Sequence, residues 1–256
     1  MDNANGSIDL SFNLGGQVAV VTGGGSGIGA AIVRAFATKG GRVAVVDLDE
    51  ERAEKQAAEI GEPGAAFTCD VADERSVAAT VANIVAHFGH VDILVNNAGV
   101  SFLGPAEELE VRAWDATLAV NLTGAFLMSQ AVGRHMLGAG RGKIINIASQ
   151  AATVALREHA AYCASKAGLL GLTRALAYEW GGRGITVNAI SPTIVMTELG
   201  RRAWEGPKGD AMKALIPTGR FAEPEDVAAA ALFLASGAAG MINGADIVVD
   251  GGYTIG

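Results

Sequence analysis

Short apolar runs recur along the chain and alternate with longer segments of mixed polarity. The runs span three to seven residues and are rich in Val, Ile and Ala, which is typical of strands buried on both faces. The pattern predicts strands at 17–21, 42–46, 65–69, 91–95, 143–148, 184–190 and 247–249.

The segments between these runs have the spacing and the Ala and Leu content of helices. They predict a helix that begins at residue 30 and further helices over 49–60, 74–87, 112–137, 160–180 and 223–235. Alternating strands and helices favour a parallel sheet, because parallel neighbours need a crossover connection. We therefore predict an α/β fold with one doubly wound parallel sheet of the Rossmann type and helices on both faces.

We expect one domain at 15–256, after an irregular N-terminal arm at 1–14. The sequence shows no linker, internal repeat or low-complexity stretch. Residues 198–216 mix Gly, Trp, Met and charged side chains, and we expect them to form a mobile helical lid over the substrate.

Composition and charge narrow the class of partner. Apolar residues make up 50% of the 256 residues and charged residues 18%, as in globular chains. A formal net charge of −8 without a basic run argues against nucleic acid or an anionic membrane as the main partner. No run approaches the ~18 consecutive apolar residues of a transmembrane helix, and the N-terminus lacks the basic region of a signal peptide. Because two cysteines make no disulfide framework, we expect a cytoplasmic protein.

A glycine-rich loop, Thr22-Gly-Gly-Gly-Ser-Gly-Ile-Gly29, joins the first strand to the first helix. Its glycines let the backbone turn sharply and approach a pyrophosphate, and the helix N-terminus offers free N–H groups. A glycine loop alone can be merely a tight turn, but its place between a strand and a helix favours dinucleotide binding.

Asp47 ends the second strand, eighteen residues beyond Gly29, near the spacing of a ribose-binding acid. A carboxylate there accepts hydrogen bonds from ribose hydroxyls and repels a 2′-phosphate. Leu48 follows, and the glycine loop contains no cation, so we infer NAD over NADP. The alternative is that Asp47 only caps the helix that starts near Glu50.

Tyr162 and Lys166 are four residues apart, so they share one face of the predicted helix. A nearby ammonium should lower the pKa of the phenol, which could then exchange a proton with a substrate hydroxyl. Ser149 ends the fifth strand and should point into the crevice where such sheets bind ligands. Taken alone, the Tyr-Lys spacing also fits an ordinary solvated helix face.

Three asparagines stand at unusual positions. Asn96 and Asn97 follow the fourth strand, where their amides can brace neighbouring strands or line a cofactor. Asn121 lies inside a predicted helix, where asparagine is unfavourable because its side chain competes for backbone hydrogen bonds. Its presence there suggests a specific role.

With these residues in view, the chain resembles the classical short-chain dehydrogenases/reductases over about residues 15–256. The resemblance rests on a set of motifs in a fixed order along the chain: Thr22-Gly-x-x-x-Gly-Ile-Gly29, Asp70-Val71, Asn96-Asn-Ala-Gly99, Asn121, Ser149, Tyr162-x-x-x-Lys166 and the segment from Pro192 to Thr197.

The resemblance implies that Tyr162 is the general acid/base and that Ser149 holds the substrate oxygen. It implies that Lys166 lowers the pKa of Tyr162 and binds the nicotinamide ribose, and that Asn121 holds a water in a proton relay. It further implies a homotetramer. The residues that it implies for binding the NAD cofactor are Gly23, Ser26, Gly27, Ile28, Gly29, Asp47, Leu48, Asp70, Val71, Asn97, Ala98, Gly99, Tyr162, Lys166, Pro192, Val195 and Thr197.

One position departs from the family pattern. The family usually has Pro-Gly where this chain has Pro192-Thr193, and members that resemble xylulose reductases share Pro-Thr. This favours a sugar alcohol or a ketose as the substrate. Candidate substrate contacts are Ser101, Phe102, Ala151, Glu158, His159, Thr193 and the lid, although Glu158 and His159 are interpreted as solvated.

The expected activity is hydride transfer between nicotinamide and a secondary alcohol or ketone. The alternatives are a 3-oxoacyl-thioester reductase, a hydroxysteroid-type dehydrogenase and a non-catalytic dinucleotide sensor on the same fold. Asp47 and the acidic net charge disfavour the first, and the presence of Ser149, Tyr162 and Lys166 disfavours the last. No metal is expected, since His87 and His90 lack a carboxylate or cysteine cluster beside them.

Overall fold

The computed structural model describes residues 8–256, except for the side chain of Leu199, and they form one seven-stranded parallel sheet. The strand order is β3-β2-β1-β4-β5-β6-β7, which reverses direction between β1 and β4. A crevice opens at such a reversal, outside the carboxyl ends of the strands. The strands are β1 (Val18–Thr22), β2 (Arg42–Asp47), β3 (Gly64–Thr68), β4 (Ile93–Asn96), β5 (Gly142–Ile147), β6 (Ile185–Pro192) and β7 (Asp246–Val249).

Helices cover both faces of the sheet, which confirms the predicted fold class. Alternate strand residues point to opposite faces, so each face needs its own apolar cover. One core contains buried residues of α1 (Gly27–Thr38), α2 (Glu50–Ile60) and α9 (Pro224–Ala235). The other contains those of α3 (Glu74–Phe88), α5 (Ala125–Ala139) and α6 (Ala160–Gly181). The remaining helices are α4 (Val111–Leu118), α7 (Glu198–Ala203) and α8 (Pro207–Lys213).

The element bounds differ from the prediction mainly beside the crevice. Helix α1 begins at Gly27 rather than residue 30, so three residues of the glycine motif belong to its first turn. Strand β6 runs to Pro192 rather than residue 190, because Ser191 and Pro192 still pair with β7.

The predicted helix over 112–137 is not regular. Helices α4 and α5 are joined without a break by a π turn, Ala119–Gly124, and Asn121 lies within it. By length and composition alone, Val111–Ala139 could cross a membrane. Core helices of globular proteins meet the same criterion, and Met128, Val132 and Met136 of α5 are packed against the sheet.

The predicted N-terminal arm lies partly outside the described residues, which begin at residue 8. Residues 8–14 form no helix or strand. Leu14 is nevertheless fully buried in the core, and its N–H donates to Lys39 O at 2.9 Å. The end of the arm is therefore packed against the domain.

Candidate active site

The N-terminus of α1 lacks the usual side-chain cap. Ser26 stands at the N-cap position but makes no capping hydrogen bond, and the first turn contains no acidic residue. Within residues 8–256, no acceptor pairs with the N–H groups of Gly27, Ile28 and Gly29. By contrast, Asp49 caps α2 with its own carboxylate. Free N–H groups and the positive end of the helix dipole make this end of α1 suitable for a phosphate.

Two close approaches hold the glycine loop in place. A Cβ on Gly29 would lie 2.1 Å from Gly23 O, so only glycine lets the loop fold back on the helix. The Asn97 amide donates to Thr22 O at 3.0 Å and to Gly23 O at 3.1 Å. Behind it, the Asn96 amide donates to Asn146 Oδ1 at 2.8 Å and thereby links β4 to β5. The two asparagines therefore brace this edge of the sheet, which is the first of the two roles that the sequence predicted for them.

Asp47 turns toward the glycine loop and does not cap α2. Its Oδ2 accepts a hydrogen bond from Gly25 N at 3.0 Å, and its Oδ1 accepts one from Asp49 N at 3.1 Å. The cap of α2 is Asp49, so the alternative interpretation of Asp47 was wrong. Leu48 is exposed beside it.

Sequence reasoning missed Arg52 as a cation near this acid. The Arg52 Cβ lies 2.7 Å from where a Cβ on Gly25 would be, so Arg52 borders the glycine loop. Its guanidinium group pairs with Asp49 at 3.0 Å. Its position three residues after the cap of α2 was the signal that could have revealed it.

Ser149, Tyr162 and Lys166 lie together at the carboxyl edge of the sheet. The Lys166 Nζ atom is 5.6 Å from the centroid of the Tyr162 ring. It donates a hydrogen bond to Ile147 O, the end of β5, at 2.7 Å. The Ser149 hydroxyl lies beside the Tyr162 phenol, where it favours the ionised form of the phenol. The predicted helix face is therefore directed at the strand end and is not a solvated surface.

Burial controls the protonation of this cluster. Lys166 is a buried ammonium without a carboxylate partner in the described part of the chain, and loss of hydration lowers its pKa to about 8. Burial raises the pKa of Tyr162, and the nearby Ser149 hydroxyl opposes that rise only in part. The expectation of a lowered tyrosine pKa is therefore wrong for the chain by itself. The loss of hydration disfavours the phenolate more than the Ser149 hydroxyl favours it.

Asn121 uses its side chain to join two segments. Its Nδ2 donates to Val100 O at 2.9 Å and to Ser165 Oγ at 3.1 Å, and its Oδ1 accepts from Val100 N at 2.8 Å. A Cβ on Gly99 would lie 3.4 Å from Asn121 Oδ1 and 3.7 Å from Lys166 Nζ. The side chain thus fixes the loop after β4 next to Lys166.

The remaining predicted cofactor residues lie at both ends of the crevice. Val71 is buried against Gly124, and Asp70 is exposed beside it. Pro192 ends β6, and Val195 forms a bridge with Ala222. Thr197 caps α7, and its Cγ2 lies 3.1 Å from where a Cβ on Gly27 would be. The segment after β6 thus reaches the glycine loop across the crevice. Ala98 and Gly99, which follow β4, lie on the same side as the glycine loop and Asn121.

In the loop before α6, His159 departs from its interpretation as a solvated group, whereas the exposed Glu158 agrees with it. His159 is half-buried, and its ring packs edge-on against Tyr162, with centroids 6.2 Å apart. Glu158 is exposed but has a φ of 62°, in the left-handed region. Its carbonyl accepts a hydrogen bond from Gly104 N at 3.1 Å, which holds the strained residue in place.

Sequence reasoning also missed Gln150, which directly follows Ser149. Its side chain is 4% exposed, and its Oε1 is sealed from solvent without a hydrogen-bond partner. Thr193 stands at the position that departs from the family pattern. Its Oγ1 is likewise buried without a hydrogen-bond partner, and the residue is 9% exposed. No sequence signal identifies such atoms, because the missing partner is a property of the folded environment. No group of three or more His, Cys, Asp or Glu in residues 8–256 is placed to hold a metal ion.

Comparisons with known proteins agree with this geometry. A family model described as enoyl-(acyl carrier protein) reductase matches residues 23–254. The chain is 63% identical to the D-threitol dehydrogenase of Mycolicibacterium smegmatis over 97% of both chains. It is 48% identical to the NAD-dependent glycerol dehydrogenase of Listeria innocua, over 96% of this chain and 97% of that protein. A gluconate 5-dehydrogenase from Burkholderia cenocepacia, solved in complex with NADP and tartrate, is similar with a TM-score of 0.92 at 36% identity, over 96% of this chain and 98% of that one.

Proposed function

This chain belongs to the short-chain dehydrogenase/reductase family, and from that premise we propose that it transfers hydride between NAD and a secondary alcohol carbon of a sugar alcohol. It is an oxidoreductase that acts on sugar alcohols and uses a nicotinamide dinucleotide. The observation that carries the proposal is the cluster of Ser149, Tyr162 and Lys166 at the mouth of the crevice.

The residues of the crevice fit a dinucleotide. The free N–H groups of Gly27, Ile28 and Gly29 suit the pyrophosphate, and Asp47 stands where a ribose would lie. When bound, the nicotinamide supplies the hydride acceptor or donor. NAD is favoured over NADP, because the Asp47 carboxylate repels a 2′-phosphate and the nearby Arg52 is paired with Asp49.

Tyr162 is the proposed proton carrier at the substrate oxygen. In oxidation its phenolate oxygen takes the proton of the substrate hydroxyl, and in reduction its neutral phenol returns a proton to the substrate oxygen. Ser149 Oγ donates a hydrogen bond to that same oxygen and fixes its distance from the phenol. Because its raised pKa keeps Tyr162 neutral in the free chain, the phenol is ready for the reducing direction, and oxidation should accelerate as the pH rises.

Lys166 and Asn121 support this proton transfer. Ile147 O takes one of the three ammonium hydrogens, which leaves two for ribose hydroxyls. The Asn121 amide donates both of its hydrogens, one to Val100 O and one to Ser165 Oγ. Asn121 could therefore bind a relay water only by accepting a hydrogen bond from it.

Three broader features complete the proposal. Residues 198–216, which contain α7 and α8, act as the substrate lid, since Thr197 at their start already meets the glycine loop. The protein assembles as a homotetramer, since Val111, Trp114 and Phe126 leave apolar surface exposed along α4 and α5. We place the protein in the cytoplasm, as its cysteine content favours.

The test is a panel of tetritols, pentitols and hexitols, assayed with NAD and NADP side by side. We expect turnover of at least one polyol with a higher kcat/KM for NAD. Binding of NADH, followed by its fluorescence, without turnover of any alcohol or ketone would favour a dinucleotide sensor instead.

A further inference from the structure

The lid segment has almost no core of its own. Among residues 198–215, with the side chain of Leu199 left aside, only Gly209 is buried. In the described part of the chain, no other helix or strand packs extensively against α7 or α8. A segment with so few buried contacts separates from its domain at a low cost in free energy.

The two ends of the lid meet at a neck, which we define as 194–196 together with 221–222. Met196 N donates a hydrogen bond to Ala222 O at 2.8 Å, and Ala222 N donates one to Ile194 O at 3.0 Å. The neck follows β6 and leads into α9, and both of these elements belong to the core of the domain. The neck therefore stays in place when the lid moves.

In residues 8–256, one pair of aromatic rings joins the lid to the neck. The ring centroids of Trp204 and Phe221 are 5.8 Å apart, with an interplanar angle of 58°. Phe221 is buried, and Trp204 is half-buried at the C-cap of α7. A Cβ on Gly209 would lie 1.9 Å from Trp204 O, so α8 packs directly on the backbone of Trp204. Both helices of the lid thus meet at the residue that contacts the neck.

Two charged side chains of the lid also reach the neck region, but they hold it less firmly. Arg201 pairs with Glu223 at 2.9 Å, and both side chains are about half exposed. Lys213 Nζ lies 5.5 Å from the centroid of the Phe221 ring. Exposed ion pairs contribute little because water screens them, whereas an aromatic pair with a buried partner removes apolar surface from water. The attachment of the lid therefore depends mainly on Trp204.

We propose that Trp204 is the latch of the lid: α7 and α8 swing open when the indole ring leaves Phe221, and they close when it returns. The place of the lid over the substrate rests on the proposed function, while the latch is a property of the chain without any ligand. Thr197, where the lid begins, already touches the glycine loop, so closure covers the crevice on the cofactor side. Opening of this kind governs substrate entry and product release.

The test is limited proteolysis of the native protein by subtilisin, whose broad specificity does not depend on one side chain. A protease cleaves backbone that has left its folded conformation, so the cleavage rate within 198–215 follows the population of open lid. Mass spectrometry locates the cuts and times them. In Trp204→Leu we expect the rate within the lid to rise roughly tenfold, since one aromatic pair is lost. Cleavage elsewhere in the chain should keep its wild-type rate.

Two further variants separate the latch from general loosening of the lid. Phe221→Leu removes the same contact from the neck side and should raise lid cleavage to a similar degree. The double variant should add little to either single one, because both changes break one contact. Leu215→Ala is the matched control, as it shortens an apolar side chain of the lid that is 64% exposed, and it should cleave as the wild type does. If Trp204→Leu folds poorly, Trp204→Phe serves in its place with a smaller rise.

A wild-type rate of lid cleavage in Trp204→Leu overturns the inference, and so does an equal acceleration along the whole chain. Fully additive effects of the two single variants would also overturn it. Failure of the proposed function would look different, since the wild type would then turn over no polyol, whereas the cleavage experiment needs no substrate.

Discussion

The two sides of the crevice are built in opposite ways. One side, at the ends of β1 and β4, we call the glycine-loop wall (Thr22–Gly29 with Asn97). There the side chains of Thr22 and Asn97 have hydrogen-bond partners within the protein. The Thr22 hydroxyl accepts from Asn97 N at 3.0 Å and from Ala98 N at 3.1 Å, and the Asn97 amide holds the carbonyls of the loop.

The opposite side we call the tyrosine wall (149–166). Several of its groups lack a hydrogen-bond partner or a counter-ion, or have a strained backbone. Within the described residues the Gln150 Oε1 atom has no hydrogen-bond partner and Lys166 has no counter-ion, and Glu158 has a left-handed backbone. In the glycine-loop wall the Thr22 and Asn97 side chains are paired before a ligand arrives, and only backbone N–H groups at the start of α1 are left for a phosphate. The tyrosine wall instead carries unfavourable side-chain and backbone features that a bound substrate and cofactor could relieve. Mutations in the first wall should cost stability, and mutations in the second should cost activity while sparing or raising stability.

The largest effect should come from Tyr162→Phe, which removes the proton carrier from the tyrosine wall. We expect turnover to fall by ~10²–10⁴-fold or more, as for loss of a general acid/base. NADH binding, measured by fluorescence titration, should stay within a few-fold of the wild type. Wild-type kcat at every pH would remove Tyr162 from the mechanism.

Lys166→Met should separate activity from stability on the same wall. The folded-state pKa of Lys166 is about 8, below its ordinary 10.5, so the folded protein binds fewer protons than the unfolded chain between these values. The wild type should therefore gain stability as the pH rises from about 8 to 10.5, by up to ~3 kcal/mol at ~1.4 kcal/mol per pKa unit.

Urea unfolding at several pH values measures this gain. At pH 7 the inactive Lys166→Met should be at least as stable as the wild type, and its advantage should shrink as the pH rises. A difference that is independent of pH would show that the burial of the ammonium does not cost stability.

Asn97→Ala tests the glycine-loop wall. The change removes both amide hydrogen bonds to the loop carbonyls, so the free energy of unfolding should drop by ~1–3 kcal/mol. Cofactor affinity should weaken along with it, because the loop loses its brace. A variant that binds NADH normally and unfolds at the wild-type urea concentration would contradict the contrast between the walls.

The smallest effect should come from Glu158→Gly. Glycine reaches a φ of 62° without a Cβ clash, so relief of strain should raise stability by up to ~1 kcal/mol, partly offset by the entropy of the unfolded glycine. Glu158→Ala is the matched control, since it removes the same carboxylate and keeps the strain. Equal melting temperatures for the two variants would show that the backbone stores no strain there.

The sequence predicted the sheet well, and the reason is physical. Inner strands such as β1 and β4 are buried on both faces and must be continuously apolar, so their runs are visible without knowledge of their neighbours. The edge strands β3 and β7 are only partly buried, but they are still apolar enough to be recognised. The glycine loop and the Tyr162–Lys166 pair are local patterns of the same kind, and the structure brings them to one crevice.

What the sequence missed depends on the surroundings of a group rather than on its neighbours in the chain. The pKa of Tyr162 shifts opposite to the expected direction, because the depth of burial of both the phenol and the ammonium is a tertiary property. The role of Asp47 could not be separated from helix capping until Asp49 was seen to cap α2. Gln150 carries no motif at all, since an unmet hydrogen bond is visible only when all the neighbours are known.

The π turn at Ala119–Gly124 sets the phase between α4 and α5. Deletion of one residue there would restore a regular helix but would rotate one half against the other by about 100°, the angular step of an α-helix. Either Met128 and Val132 would swing away from the sheet, or Asn121 would release the loop beside Lys166. This stretch should therefore reject single-residue deletions that a surface loop would absorb, and its length is as much a part of the catalytic design as the side chains it carries.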